Sequence, residues 1–399
     1  MSRSSGRKVA ILSSVHLALD NRVFYREART LARAGYDVTL IAVHDRDETR
    51  DGVRIRALPR VARSRRPLLW RALGRMARET GADLFHFHDP ELLLLSPWLR
   101  RATGRPTIYD IHEANADFIA VKEYIPTVAR GPVAGLFRRL EPRLAAGESG
   151  LIFADDAIAA DFAGFSGPKT TLFNFPGQEL ITRGAAATGP RPDPVVLYLG
   201  GLERNRGAAL LIDAFARVVA EMPAARLLLV GHFAPPELEA EVRADAERRG
   251  IAHAVEITGR VPFAAIGDYL ARARVGWVTW GDAAKNRKNI PTKLFEYMAY
   301  GLPVVSSDLP STRPFVPPEV GLLAAAGDPA AHAAALLRLL ADPATAERMG
   351  AAGQRRVTAE WNWKAMEPRL LALYESVLGK SSTPRRQGAR RKNLSLRLS

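Results

Sequence analysis

Residues 288–308 read KNIPTKLFEYMAYGLPVVSSD. Pro291 opens a helix there, and Gly301 with Pro303 closes it ahead of a β-branched strand. The first turn of such a helix presents unpaired backbone N–H groups, and Lys293 adds a positive charge at the same place, a combination that stabilises phosphate. Glu296 lies one turn on, on the face of Lys293 and away from Phe295, Met298 and Ala299. Its carboxylate is suited to accept two hydroxyl hydrogen bonds from a ribose. The alternative is a plain i, i+3 ion pair with Lys293, worth about 0.2–0.5 kcal/mol.

The strand that follows, LPVVSSD, is one of a series. From Lys8 to Pro176, short β-branched runs (KVAIL, YDVTLIAV, ADLFHFH, PTIYDIH, GLIFAD) alternate with helical stretches, and from Val195 the alternation resumes with VVLYLG, RLLLVG, VEITG and VGWVTW. This is the pattern of parallel sheets covered by helices on both faces. In the first helix Val23, Ala28, Leu31 and Ala32 fall at helical spacing, and Gly35 ends it. Between Pro176 and Val195 the pattern lapses into a Gly-, Ala- and Pro-rich stretch that reads as a linker. The expected organisation is an α/β N-terminal domain over 1–180 and a second α/β domain over 181–361. A helix over 362–379, with Leu370, Leu373 and Tyr374 as its apolar stripe, follows and crosses the junction, and a disordered basic tail occupies 380–399. Paired sheets of this kind bind ligands at the carboxyl ends of their strands, so the cleft between them is the expected site.

Three further segments sit at strand ends. In residues 197–215, LYLGGLERNRGAALLIDAF, Gly200 and Gly201 let a ligand approach the backbone, and Arg204 and Arg206 offer paired hydrogen bonds to a diphosphate. The spacing is neither the dinucleotide fingerprint nor a P-loop. In residues 86–95, HFHDPELLLL, Asp89 before Pro90 reads as a helix cap, with a role on the acceptor side as the alternative, while His88 ends a strand at the cleft. In residues 106–115, PTIYDIHEAN, Asp110 and His112 share one strand face by alternation, with Glu113 next to them. An imidazole there suits orienting an acceptor or moving a proton near neutral pH.

Composition narrows the chemistry. The chain has 399 residues, 47% of them apolar and 25% charged, and no apolar run long enough to span a bilayer. No cleavable signal is evident, which places it in the cytoplasm. Without cysteine, disulfides, thiolate zinc sites and cysteine nucleophiles are excluded. The sole Asp-x-Asp, Asp45-Arg46-Asp47, lies in a polar loop, so no metal is expected. The net charge is +15, and the last twenty residues supply seven cations and no acid; that tail either solubilises the chain or touches anionic lipid or nucleic acid through charge alone. Specific nucleic-acid binding is not expected, since no recognition module is visible. Residues 60–78, RVARSRRPLLWRALGRMAR, place Leu68, Leu69, Trp70, Leu73 and Met76 on one face of a basic helix. It either covers the sheet or lies on an anionic bilayer, peripheral on the inner face of the membrane.

Taken together, HDPELL, YDIHE and IPTKLFEYMAYGLPVVSSD resemble glycosyltransferase family 4, in particular its bacterial members, over about Lys8 to Gly379. The resemblance implies a GT-B fold of two Rossmann-like domains facing across a cleft and a nucleotide-diphosphate sugar as donor. It also implies transfer with retained anomeric configuration and without metal or other cofactor, in cell-surface polysaccharide or glycolipid synthesis. It places Glu296 on the donor ribose and Arg206 on the diphosphate. Gly200, Gly201, Asn289, Ile290, Pro291, Thr292 and Lys293 then line the donor, and His112 lies near the transferred sugar. Gly231, Arg260 and Val261 frame the base. The acceptor, a saccharide or lipid-linked saccharide, enters past His88 and Asp89. Two positions depart from the family pattern: Lys288 stands where a first glutamate is usual, and Gly201 where an arginine is usual. Asn289 and Arg204 are the candidate replacements. Other functions consistent with the same architecture are a non-catalytic protein that binds nucleotide sugar or a partner enzyme, and a nucleotide-sugar epimerase.

Overall fold

The computed structural model describes residues 6–122, 125–187, 189, 191, 193–262 and 265–381. The first sheet is built from β1 (Lys8–Leu17), β2 (Asp37–Val43), β3 (Glu48–Arg50), β4 (Val53–Leu58), β5 (Leu84–Phe87), β6 (Thr107–Ile111), β7 (Gly150–Phe153) and β8 (Lys169–Thr171). Its spatial order is β3-β4-β2-β1-β5-β6-β7-β8, parallel throughout except for β3 against β4. The second sheet comprises β9 (Val195–Leu199), β11 (Arg226–Val230), β13 (Val255–Gly259), β14 (Val275–Val278), β15 (Val304–Ser307) and β16 (Gly321–Ala324), and a short pair, β10 (Leu202–Glu203) and β12 (Phe233–Ala234), stands beside it. The order of the second sheet is β13-β11-β9-β14-β15-β16, again parallel. Strands such as VVLYL and TIYDI are buried along their whole length, as parallel strands sandwiched between helices must be.

Each sheet reverses its strand order once, between β1 and β5 in the first and between β9 and β14 in the second. Helices leave the sheet in opposite directions at such a point and open a crevice at the carboxyl ends of the strands. The segments after β1, β5 and β6 face one crevice, and those after β9, β11 and β14 face the other. Segments 86–95, 106–115, 197–215 and 288–308 include these ends or follow them.

The helix after β1 winds in two styles. Glu27 N donates to Arg22 O (3.0 Å) and Tyr25 N to Asp20 O (3.2 Å), wide five-residue turns that tighten into an α-helix over Arg29–Arg33. Gly35 ends it at φ +89°. The stretch read as a linker contains a helix, Gln178–Ala186, and the 180/181 division falls inside it. Its Gly184 meets the 293–299 helix so closely that a Cβ there would stand 2.1 Å from Ala299 O. Small residues that read as flexible are small because two helices touch. Trp363–Ser381 returns to the first sheet: Trp363 Nε1 donates to Thr30 Oγ1 (2.9 Å), Arg33 pairs with Glu367 (2.7 Å), and Leu370, Leu373 and Tyr374 are buried. All but the first two residues of the basic 380–399 tail lie outside the described residues.

The basic helix Arg66–Glu79 covers the sheet. Leu73 and Ala77 are buried, Trp70 and Met76 pack on the core, and Leu68 alone of the expected apolar face is well exposed. None of the described helices is long and apolar enough to cross a membrane.

Candidate active site

A cavity of about 500 Å3 lies between the two sheets. It is lined by Gly200, Gly201, Arg206, Gly231, Arg260, Val261, Asn289, Ile290, Thr292, Lys293 and Glu296 from the second half and by His112, Glu113 and Asp155 from the first. Pro291 is not on its wall: the helix begins at Lys293, and Pro291 forms the preceding turn by accepting from Leu294 N (3.1 Å). With only seven residues this helix has a weak dipole, so the positive charge of the cavity rests on side chains.

The helix is fastened by its aromatic residues. Tyr297 Oη accepts from Leu199 N (2.8 Å) and donates to Trp277 O (3.2 Å), tying the helix to the ends of β9 and β14. Gly276 makes this possible, since a Cβ there would stand 2.2 Å from the Tyr297 ring. Phe295 packs on Phe175 and Phe315 at ring distances of 4.8 and 5.2 Å. Lys293 is thereby held inside the cavity, buried, with its Nζ 3.6 Å above the Tyr198 ring and no hydrogen-bond partner among the described residues. The i, i+3 ion pair with Glu296 does not form. Burial, and then the neighbouring Arg206, push the Lys293 ammonium well below its ordinary range, and burial pushes the Glu296 carboxyl up against the pull of Arg26 and Lys293. A dianion entering here would restore the charge that burial suppresses.

Arg206 is half-buried on the cavity wall, held by Gly201 O (3.2 Å) and Glu203 (3.1 Å), with its guanidinium over the Trp280 ring. Arg204 faces away: it pairs with Glu241 on the surface (2.6 Å) and does not replace a missing cation. The additional cation is Lys285, buried on the cavity wall, 3.4 Å from Glu113 and 3.6 Å above the Phe118 ring. Gly201 is glycine because His232 stands behind it, 2.9 Å from where a Cβ would be. Gly231 at φ +152° backs onto Gly200, and a Cβ there would stand 2.1 Å from Gly200 O. Lys288 spans the cleft to Asp117 (2.9 Å) and Asp161 (2.6 Å) and does not line the cavity. Asn289, beside it, reaches Ala114 N (3.3 Å) through its side chain.

His88 and Asp89 line a second cavity, of about 530 Å3, within the first half; His112 and Glu113 belong to both cavities. Asp89 does not cap the turn that follows it. Its carboxylate instead accepts from Ser14 N (2.6 Å) and Ser13 Oγ (2.9 Å) and pairs with His16 (3.0 Å). Burial works to raise it, but His16 and these hydrogen bonds outweigh burial and hold it at about 2. Asp110 and His112 do share a face, and Asp110 is gripped by Arg22 through two bonds of 2.9 Å. Against the cost of burial, the Arg22 charge and the hydrogen bonds from His112 and His88 keep Asp110 ionised, well below the usual carboxylate range. His112 Nε2 contacts Asp110 (3.2 Å) and His88 Nδ1 (2.8 Å). Burial lowers His112, and it lowers His88 to about 4 despite Asp110, so both are neutral at pH 7. With Nε2 committed, His112 keeps Nδ1 without a hydrogen bond among the described residues, on a side chain that lines both cavities.

Below this layer Glu27 lies 3.8 Å from Nε2 of both His86 and His88, and with Asp110 these groups approach within 4.8 Å of one another. Arg22 hydrogen-bonds Asp110 and stands at ion-pair distance from Glu27 (3.0 Å), so the chain itself supplies a positive charge to that cluster. Arg22, Glu27, Lys285, His16 and Asp155 were not singled out in the sequence. For Glu27 a signal existed, an acid on the apolar face between Phe24 and Leu31; the others follow only from the packing of distant segments.

Known proteins share the fold. Residues 193–342 match the family described as glycosyl transferases group 1, and residues 21–174 match the glycosyl transferase 4-like domain. A phosphatidyl-myo-inositol mannosyltransferase of Mycobacterium leprae is 26% identical over 298 residues, 74% of each chain. Among solved structures, sucrose-phosphate synthase from Thermosynechococcus elongatus superposes with a TM-score of 0.76 at 22% identity, covering 94% of this chain and all of that one. Anabaena HepE, solved with UDP and glucose, superposes with a TM-score of 0.72 at 16% identity, covering 93% and 100%. The two family matches fall one on each sheet-bearing half, and the chain belongs to the GT-B glycosyltransferases of family 4.

Proposed function

We propose that the cavity between the sheets holds a nucleoside-diphosphate sugar and that the cavity beside His88 admits a lipid-borne or saccharide acceptor. The observation that carries this reading is the shared wall. His112 and Glu113 border both cavities, so a sugar held in one meets a hydroxyl held in the other at that wall. Lys293, Arg206 and Lys285 neutralise the diphosphate, Glu296 accepts the ribose hydroxyls, and Arg260 and Val261 border the base. In the reaction the bond from the anomeric carbon to the diphosphate oxygen breaks, and the acceptor oxygen bonds to that carbon and releases its proton. The cations stabilise the charge that grows on the departing diphosphate, and no metal is required. His112, neutral and oriented by Asp110, positions the sugar through Nδ1. Retention of anomeric configuration rests on the family resemblance.

The surface supports an acceptor borne on a membrane. Helix Thr127–Ala145 exposes Val133, Leu136, Leu140 and Leu144 in one stripe, with Arg139 and Arg143 also exposed beside it. Val133 and Phe137 continue into the acceptor cavity. An amphipathic basic helix of this kind fits an anionic bilayer, and the relative named for a phosphatidyl-inositol acceptor agrees with it. The test is release of nucleoside diphosphate from a panel of nucleotide sugars, with and without membrane lipid extract, in the presence of a chelator. Release that requires extract and tolerates chelator is expected. Release without any acceptor product, or dependence on added metal, overturns the reading. Failure to sediment with anionic vesicles at low salt overturns its membrane part.

A further inference from the structure

Asp155 follows β7 at the carboxyl end of the first sheet and is 5% exposed. It precedes a short helix, Asp156–Ala159, that it does not cap. Its hydrogen bonds are two long ones, from Asn289 Nδ2 (3.4 Å) and Ile290 N (3.3 Å), both to Oδ2. Among the described residues none reaches Oδ1 and no cation lies within ion-pair distance. Burial pushes its carboxyl up to about 7 against those bonds. The group faces the same cavity as Lys285, Lys293 and Arg206. Of the other carboxylates on that wall, Glu113 is paired with Lys285 and Glu296 lies at the 293–299 helix. Oδ1 is thus the open end of a largely buried carboxyl on the cavity wall, placed to accept a hydrogen bond from a ligand there. The ligand chemistry that matches a cationic end and such an acid on one cavity is a diphosphate joined to a polyhydroxyl group.

Resting on the donor reading above, we propose that Asp155 is a specificity-determining residue, accepting at Oδ1 a hydroxyl hydrogen bond from the sugar of the donor. The residue comes from the half of the molecule opposite the phosphate cations. Lys288, tied to Asp117 and Asp161, and Asn289, tied to Ala114, hold segment 288–290 against that half. The sugar is therefore read from across the cleft, whereas the nucleotide is gripped from one side.

The experiment compares calorimetric affinities for UDP with UDP-glucose and for GDP with GDP-mannose, in the wild type, Asp155→Ala and Asp155→Asn. In the wild type the sugar is expected to tighten binding of one of the two nucleotides at least tenfold. Asp155→Ala should abolish that increment while keeping nucleoside-diphosphate affinity within twofold, and Asp155→Asn, which still offers an oxygen, should recover most of it. An Ala variant that keeps the increment, or a wild type in which the sugar adds nothing, overturns the role of Asp155 alone. So does an equal loss for nucleotide and nucleotide sugar in both variants. A wild type that binds neither nucleoside diphosphate overturns the donor-cavity reading itself, and the two failures are told apart by that arm.

Discussion

The two faces of the cleft are built on opposite electrostatic plans. On the first half, Arg22, Asp110, His88 and His112 form one bonded set, and Asp89 with His16 and Ser14 forms another, so the charges of these two sets have partners before any ligand arrives, and Asp155 stands apart from them. On the second half, Lys293 is buried with no hydrogen-bond or ion-pair partner among the described residues, and Arg206 is held by a carbonyl, a partly exposed glutamate and the Trp280 ring. A partnered network fixes side-chain positions and suits groups that must orient a reaction. An unpartnered cation is destabilising at rest and suits a group whose partner is the ligand.

The contrast breaks most visibly at Lys293. Lys293→Met removes the unpaired cation while keeping its bulk, and transfer should fall by about 10²–10³-fold, the scale of a lost transition-state donor. The empty protein should at the same time melt higher, because a buried amine without a hydrogen-bond partner, whose ammonium form burial disfavours, has gone. A variant that is both less active and less stable contradicts the contrast. Arg206→Ala should cost about tenfold to a hundredfold in donor affinity and turnover, the range for one charge-assisted contact; unchanged donor affinity would remove Arg206 from the site. His112→Ala should lower turnover by roughly tenfold or more with donor affinity little changed, as a positioning group does, and a loss confined to donor affinity would assign it to binding instead.

Smaller effects probe the pre-bonded half. Glu141 accepts from Tyr109 Oη (2.7 Å) and Asn115 Nδ2 (2.8 Å), and burial, opposed by those bonds, raises its carboxyl to about 7. Its folded value exceeds its unfolded one, so the fold keeps the proton while the unfolded chain loses it, and stability falls as pH rises from about 4.5 to 7. Glu141→Gln keeps both bonds and removes the titration. Its melting advantage over the wild type should grow across that window, by up to about 2–3 kcal/mol, and a pH-independent difference would refute the assignment. Lys288→Ala, whose bridges are partly solvent-screened, should cost only about 1 kcal/mol in thermal melting.

What could be read from the chain was what repeats or is local. The alternation of β-branched runs with helical segments gave both sheets, and the phosphate-facing residues cluster in 288–308, where one helix start carries Lys293 and Glu296. What escaped depends on long-range approach. Arg22 meets Asp110 across 88 residues and Lys288 meets Asp161 across 127, and neither pairing leaves a spacing rule. Asp89 looked like a cap because Asp-Pro precedes a turn, yet the carboxyl-terminal part of β1 offers its carboxylate more N–H and O–H donors than the turn does. The Gly-Ala stretch after Pro176 looked like a linker because small residues signal both flexibility and close helix contact, and only the partner at Ala299 distinguishes them.

The central claim is that the second half waits for an anion, and its most direct test is proton uptake on nucleoside-diphosphate binding. Burial holds the Lys293 ammonium below its ordinary range in the empty cavity, and a bound diphosphate raises it again. Calorimetry of UDP and GDP binding at a series of pH values up to the ordinary lysine range, in buffers of different ionisation heat, should show protons taken up by the wild type and a smaller uptake in Lys293→Met. Affinity should weaken as pH rises in the wild type more steeply than in the variant. Equal proton linkage in the two proteins would show that Lys293 is charged before the ligand arrives, and the electrostatic asymmetry of the cleft would then be false.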